Sequence, residues 1–264
     1  MAQATYRVAR YMAKPTNMVM KAAQRILIYL LRTAELGVTY GGGKPTDGVI
    51  EAMHKTAGGE RAGLGEGGVA QALSDANWEP DGPSITGHCL MMHGGALSWT
   101  SKKQASTSLS SMEAETFAAA AAVAEVMWAR GLLGELGWPQ LQPTNLWIDN
   151  TGAVAVANDA ASIGRSRHIA RRSRFLLEAY ARGIIRARHL AGDAQAADLL
   201  TKPLDRKRFV TLRTYLMNSD SQVSVGKGHG KTEDGLMSSG PTTPNETKSS
   251  LGSSCASSSS AGRR

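Results

Sequence analysis

The sequence predicts an α/β domain built on a mixed sheet, with three antiparallel strands first, parallel strands after them, and helices on the faces. Three observations carry that expectation. From Val69 the segments VAQALSDANW, SITGHCLMMHG and ALSWTSKK alternate in polarity and are punctuated by Pro80, Gly82, Pro83, Gly94 and Gly95, which reads as three consecutive antiparallel strands. A long helical pattern follows, and beyond it apolar strands alternate with helices. Finally, four acidic residues fall on strand, helix, strand and helix patterns in turn: Asp75, Glu115, Asp149 and Asp198.

Upstream of the domain, residues 17–36 have helical apolar spacing at Met20, Ala23, Leu27, Leu30 and Leu31, with Gly37 as a stop and a strand-like LGVTY after it. The stretch 41–68 is glycine-rich and pattern-poor, the composition of a flexible linker, so residues 1–40 are expected to be a separate piece. The domain proper is expected over 69–216. Within it a long helix spans about 112–136, closed by Gly137 and Pro139. TNLWID then reads as a buried strand, TGAVAVAND as a short helix, residues 167–182 as an arginine-rich helix, GIIRARHL as a strand and AQAADLLTK as a closing helix. Residues 217–264 are rich in Ser, Gly and Thr and lack apolar periodicity, as expected of a disordered tail.

The 264 residues are 42% hydrophobic, enough for a substantial core, and carry a formal charge of +8. That charge is concentrated: between Arg165 and Arg188 there are eight arginines, one glutamate and no lysine. Such a patch suits a polyanion such as nucleic acid, and the bland alternative is a solvated helix face. The two cysteines, Cys89 and Cys255, form neither a disulfide framework nor a zinc-ligand pattern. No stretch reads as a membrane span and no signal peptide opens the chain, so an intracellular setting is expected.

The acidic residues carry the chemistry. Asp75 sits near the end of the first strand, where its side chain can leave the sheet. The long helix offers two glutamates. Ser110 and Glu113 fit a capping box, which gives Glu113 a structural task. Glu115 lies roughly 200° further round, on the small-residue row of Ala119, Ala122, Val126 and Leu133 that should face the sheet. Asp149 stands at the carboxyl end of a strand, where α/β sheets place their ligands, and Asn150 or Thr151 can cap the following helix. Asp198 lies on the closing helix. Three or four carboxylates without a Cys/His cluster favour a hard cation such as Mg²⁺ or Mn²⁺, and two such ions can promote phosphodiester hydrolysis.

The ordered set SDANW, TGHCLMMHGGALSWTSKKQASTSLSSMEAETFAA, WARGLLGELG, LWIDNTGAVAVAND, RSRHIA and QAADLLTKPL closely resembles the ribonuclease H domain at the C-terminal end of Copia-type retrotransposon Pol polyproteins. The resemblance covers about Val69 to Phe209. Residues 1–40 look like the end of the same element's reverse transcriptase, without its paired-Asp motif. The resemblance implies a five-stranded mixed sheet and cleavage of the RNA strand of an RNA–DNA hybrid by two Mg²⁺ ions held by Asp75, Glu115, Asp149 and Asp198. It further implies a proton-shuttling place for His189 and nucleic-acid contacts for Asn150 and His168, while Arg167, Arg171 and Arg174, at spacings of four and three, share a helix face suited to lining phosphates. The upstream reverse transcriptase becomes an expected partner. Departures from the family pattern, such as Ala170 in place of the Asp of its His-Ile-Asp motif, leave two alternatives: a binding module that does not cut, and a decayed copy.

Overall fold

A computed structural model describes residues 1–41, 70–80, 82–159, 161 and 167–218. The side chains of Arg167 and His168 lie outside it, as do nearly all of the expected linker 41–68 and tail 217–264. Strands β1 (Gln71–Asn77), β2 (Ile85–Met92) and β3 (Gly95–Lys103) form an antiparallel meander, and β4 (Thr144–Ile148) and β5 (Ile185–His189) add in parallel beside β1. The sheet order is β3-β2-β1-β4-β5, the five-stranded mixed arrangement expected of a ribonuclease H-like fold. His93 and Gly94, with φ of 50° and 85°, join β2 to β3 as a two-residue hairpin turn whose positive φ angles match the strand twist.

Alternation along the strands divides the core in two. Ala72, Leu90, Leu146 and Ile148 face a cluster with Ala119, Val123, Val126 and Leu176 from the helices α3 (Ser111–Glu135) and α5 (Arg167–Ala181). Leu73, Cys89, Met91 and Trp147 point the other way and pack with Leu190, Leu200, Leu212 and Tyr215. That second layer comes from the segment after β5 and from the helices α6 (Asp198–Thr201) and α7 (Arg206–Met217). Between them, α4 (Thr151–Asn158) follows β4. The closing helix expected over AQAADLLTK is therefore only the four residues of α6, preceded by a 3₁₀ turn at Gly192–Ala194. Helix α3 is apolar enough by length and composition to pass as a membrane span, contrary to the sequence expectation. Ala119, Ala122, Val126 and Leu133 are all buried, so the small-residue row does face the sheet and α3 is a core helix.

Two helices precede the sheet, α1 (Ala2–Ala9) and α2 (Asn17–Arg32). The apolar side of α2 stays in solvent, with Leu27 60% and Leu31 79% exposed. Its anchor is Tyr29, which meets the Phe209 ring edge-on at 5.9 Å and accepts a hydrogen bond from Arg213 at 2.9 Å. The expected strand LGVTY is extended chain outside the sheet ladder: the Thr39 N–H donates to the Met217 carbonyl at 2.9 Å and the Tyr40 hydroxyl to the Ala96 carbonyl at 2.8 Å.

Candidate metal centre

The start of α3 is tied by a clamp of side chains to the start of β2, which pairs with the end of β1. The Gln104 amide donates to Thr86 Oγ1 at 3.0 Å and to the Ala114 carbonyl at 2.9 Å, and its oxygen accepts from the Ser108 hydroxyl at 2.7 Å. Small residues let α3 and β1 approach, with Ala76, Ala114 and Ala118 in one buried cluster. Ser110 caps the helix through the Glu113 N–H at 3.2 Å, and Glu113 reaches back to the Leu109 N–H at 2.7 Å, one residue earlier than a standard capping box. With Glu113 so engaged, Glu115 is the glutamate that faces β1.

Asp75, Glu115 and Asp149 converge from three distant segments, each offering one carboxylate oxygen within 4.8 Å of the others. Asp75 and Glu115 are buried and Asp149 is half-buried. Glu115 Oε1 accepts from the Ala76 N–H at 3.0 Å, while its buried Oε2 has no hydrogen-bond partner. A buried, unpartnered carboxylate oxygen inside a triangle of hard donors fits a divalent cation such as Mg²⁺ or Mn²⁺.

Asp198 lies outside that triangle. Lys202 Nζ bridges it to Asp75, at 2.8 Å from Asp198 Oδ1 and 2.9 Å from Asp75 Oδ1. Its other oxygen is held by Arg208, whose guanidinium also donates to the Gly192 carbonyl at 2.5 Å. The second oxygen of Asp75 accepts a hydrogen bond from the Thr201 hydroxyl. Gly87, opposite Asp75 in the β1–β2 ladder, makes this packing feasible. A Cβ there would lie 2.6 Å from Thr201 Cγ2 and 2.7 Å from Leu200 Cβ.

Crowding and burial disfavour charge on these acids. Burial, reinforced by Asp75 and Asp149, pushes the Glu115 carboxyl up to about 9. Burial and then Asp75 also raise Asp149, and the same two causes carry Asp198 up to about 6 against the pull of Lys202 and Arg208. Burial alone would lower Lys202, but Asp75 and Asp198 outweigh it and hold the ammonium above its ordinary value.

The remaining candidates are spread around this centre. His189 Nε2 lies 3.1 Å from the backbone carbonyl oxygen of Asp149. Asn150 caps α4, its Oδ1 accepting from the Ala153 N–H at 3.0 Å. Arg171 and Arg174 are exposed and line a shallow hollow on α5 with Phe175 and Glu178. The arginine patch is not uniform, however. Arg172 lies 3.7 Å over the Phe117 ring and joins α5 to α3, and Arg188 donates to Asn145 at 3.0 Å. Sequence reasoning missed Lys202, Thr201, Arg208 and Gly87. Of these, only Lys202 had a local signal, its i,i+4 spacing from Asp198.

No family profile matches the chain. Over 209 residues, 78% of this chain, it is 31% identical to the "Retrovirus-related Pol polyprotein from transposon RE1" of Arabidopsis thaliana. Over 205 residues, 76% of the chain, it is 26% identical to the corresponding polyprotein from transposon TNT 1-94 of Nicotiana tabacum. It spans 13% and 14% of those relatives' own lengths. Among solved structures, LC11-RNase H1 isolated from compost is similar at 16% identity, over 51% of this chain and 93% of that one, with a TM-score of 0.41.

Proposed function

We propose, for a chain of the retrotransposon Pol polyprotein family, a ribonuclease H-type endonuclease that hydrolyses the RNA strand of RNA–DNA hybrids with divalent cations. The observation that carries this reading is the convergence of Asp75, Glu115 and Asp149 within 4.8 Å at the carboxyl end of the central strands. These three would hold the cation. When bound, a divalent cation stabilises charge on the phosphodiester and activates water.

The chain's own side chains prepare that centre. The Ala76 N–H fixes one oxygen of Glu115 and leaves the other free to act as a ligand. Thr201 and Lys202 fix both oxygens of Asp75. Arg171 and Arg174, with Arg167 and His168 one turn earlier on α5, would meet the phosphate backbone. Asn150 would meet the minor groove, where the 2′-hydroxyl distinguishes RNA from DNA. His189, beside Asp149, is the proposed proton carrier. In the longer polyprotein the reverse transcriptase would supply the hybrid, in an intracellular setting.

Incubating the purified chain with end-labelled hybrid, in Mg²⁺ and separately in EDTA, tests the proposal. Cleavage confined to the RNA strand and to the Mg²⁺ arm is expected. Asp149→Asn should abolish it while hybrid binding persists. Cleavage that survives Asp149→Asn would mean that the chemistry lies elsewhere.

A further inference from the structure

Asp198 and Asp75 stand on either side of Lys202 as two ligands would stand on either side of a metal ion, with N–O distances of 2.8 and 2.9 Å. Asp198 is 2% exposed and Asp75 fully buried, so a cation between them is needed to offset their mutual repulsion. The ammonium is well secured. Thr201, one residue earlier, holds Asp75, the Ser101 hydroxyl donates to the Leu200 carbonyl at 2.6 Å, and Arg208 holds the far oxygen of Asp198. The elements that carry Lys202 are thus tied to β1 and β3 on one side and to α7 on the other.

We infer that Lys202 is the built-in second cation of this centre. Its ammonium takes the place between Asp75 and Asp198, and a single divalent ion binds on Asp75, Glu115 and Asp149. This inference rests on the nuclease reading and departs from its two-ion form. Asp75, the residue common to both places, offers one oxygen to the triangle while Lys202 and Thr201 position its carboxylate. Lys202 is therefore a positioning residue for the centre. A divalent ion can enter the second place only if the lysine leaves it. The expected order of cation affinity follows: one ion binds readily, and the next competes with a tethered ammonium whose effective concentration is high.

Counting Mn²⁺ ions on the full chain without nucleic acid, from loss of the free-ion signal in electron paramagnetic resonance, tests the assignment. Wild type should bind one ion, and Lys202→Gln, which removes the charge and keeps a hydrogen-bonding amide, should bind two. Two ions on wild type, or a count of one that Lys202→Gln leaves unchanged, would overturn the assignment while the nuclease reading stands. A single ion that persists in Asp149→Asn would place it outside the triangle and remove both. Should Lys202→Gln not fold by circular dichroism, Lys202→Met, which removes the charge and keeps the aliphatic stem, takes its place in the count, with two ions again expected and one overturning the assignment.

Discussion

Glu115→Gln separates the charge of this residue from its shape. Between its ordinary value of 4.5 and about 9, the folded chain keeps a proton on Glu115 that the unfolded chain releases. The unfolded state then binds fewer protons, so stability without metal falls as pH rises through that window. The slope is at most about 1.4 kcal/mol per pH unit for one proton. Glutamine reproduces the protonated form and keeps the oxygen that accepts from Ala76 at 3.0 Å. In EDTA the variant should therefore lose that slope and match or exceed wild type by pH 8. With Mg²⁺ the gap should narrow, because an ion at a hundred times its dissociation constant adds about 2.7 kcal/mol to wild type alone. Urea denaturation from pH 5 to 9, with EDTA or Mg²⁺, measures both effects. An unchanged slope, or a variant in EDTA at pH 8 weaker by more than about 1 kcal/mol, beyond what most surface substitutions cost, would refute the assignment of the retained proton to Glu115.

Gly87→Val should destabilise the fold by about 1–3 kcal/mol, because the new side chain overlaps Thr201 and Leu200. It should also weaken Mn²⁺ binding, and thermal denaturation with an Mn²⁺ titration reads both. Glu113→Ala should cost about 0.5–2 kcal/mol through loss of the Leu109 N–H contact, as seen in urea denaturation, and spare cleavage in Mg²⁺ at saturating substrate. Replacing Arg171 and Arg174 with glutamine should weaken hybrid binding and flatten its dependence on log salt by up to about two units. An unaltered slope in fluorescence anisotropy would make them a solvated face.

The sheet was legible because its signals are local. Alternating polarity and turn residues mark β1 to β3, and Ser110 with Glu113 marks the helix start that turns Glu115 inward. The capping reading worked because it assigned one glutamate a task and so freed the other. Helix α7 was overlooked although Asp205 caps it and Phe209, Leu212 and Tyr215 recur every three residues, a pattern diluted by four basic residues. Apart from the i,i+4 spacing of Lys202, the environment of Asp198 could not be read. Its ion pair with Arg208, the ammonium shared with Asp75, and the need for glycine at position 87 depend on contacts between distant segments. For the same reason the sequence ranked Asp198 as an equal of the other three acids, whereas the fold surrounds it with cations.

The Gln3 amide of α1 donates to the Thr201 carbonyl at 3.4 Å, on the residue whose hydroxyl holds Asp75. Anyone trimming this protein to its sheet-forming portion would therefore cut a brace on the acidic pocket along with the leading segment. A shortened version beginning near residue 70 would keep every carboxylate of that pocket and still be expected to grip cations more loosely than its parent.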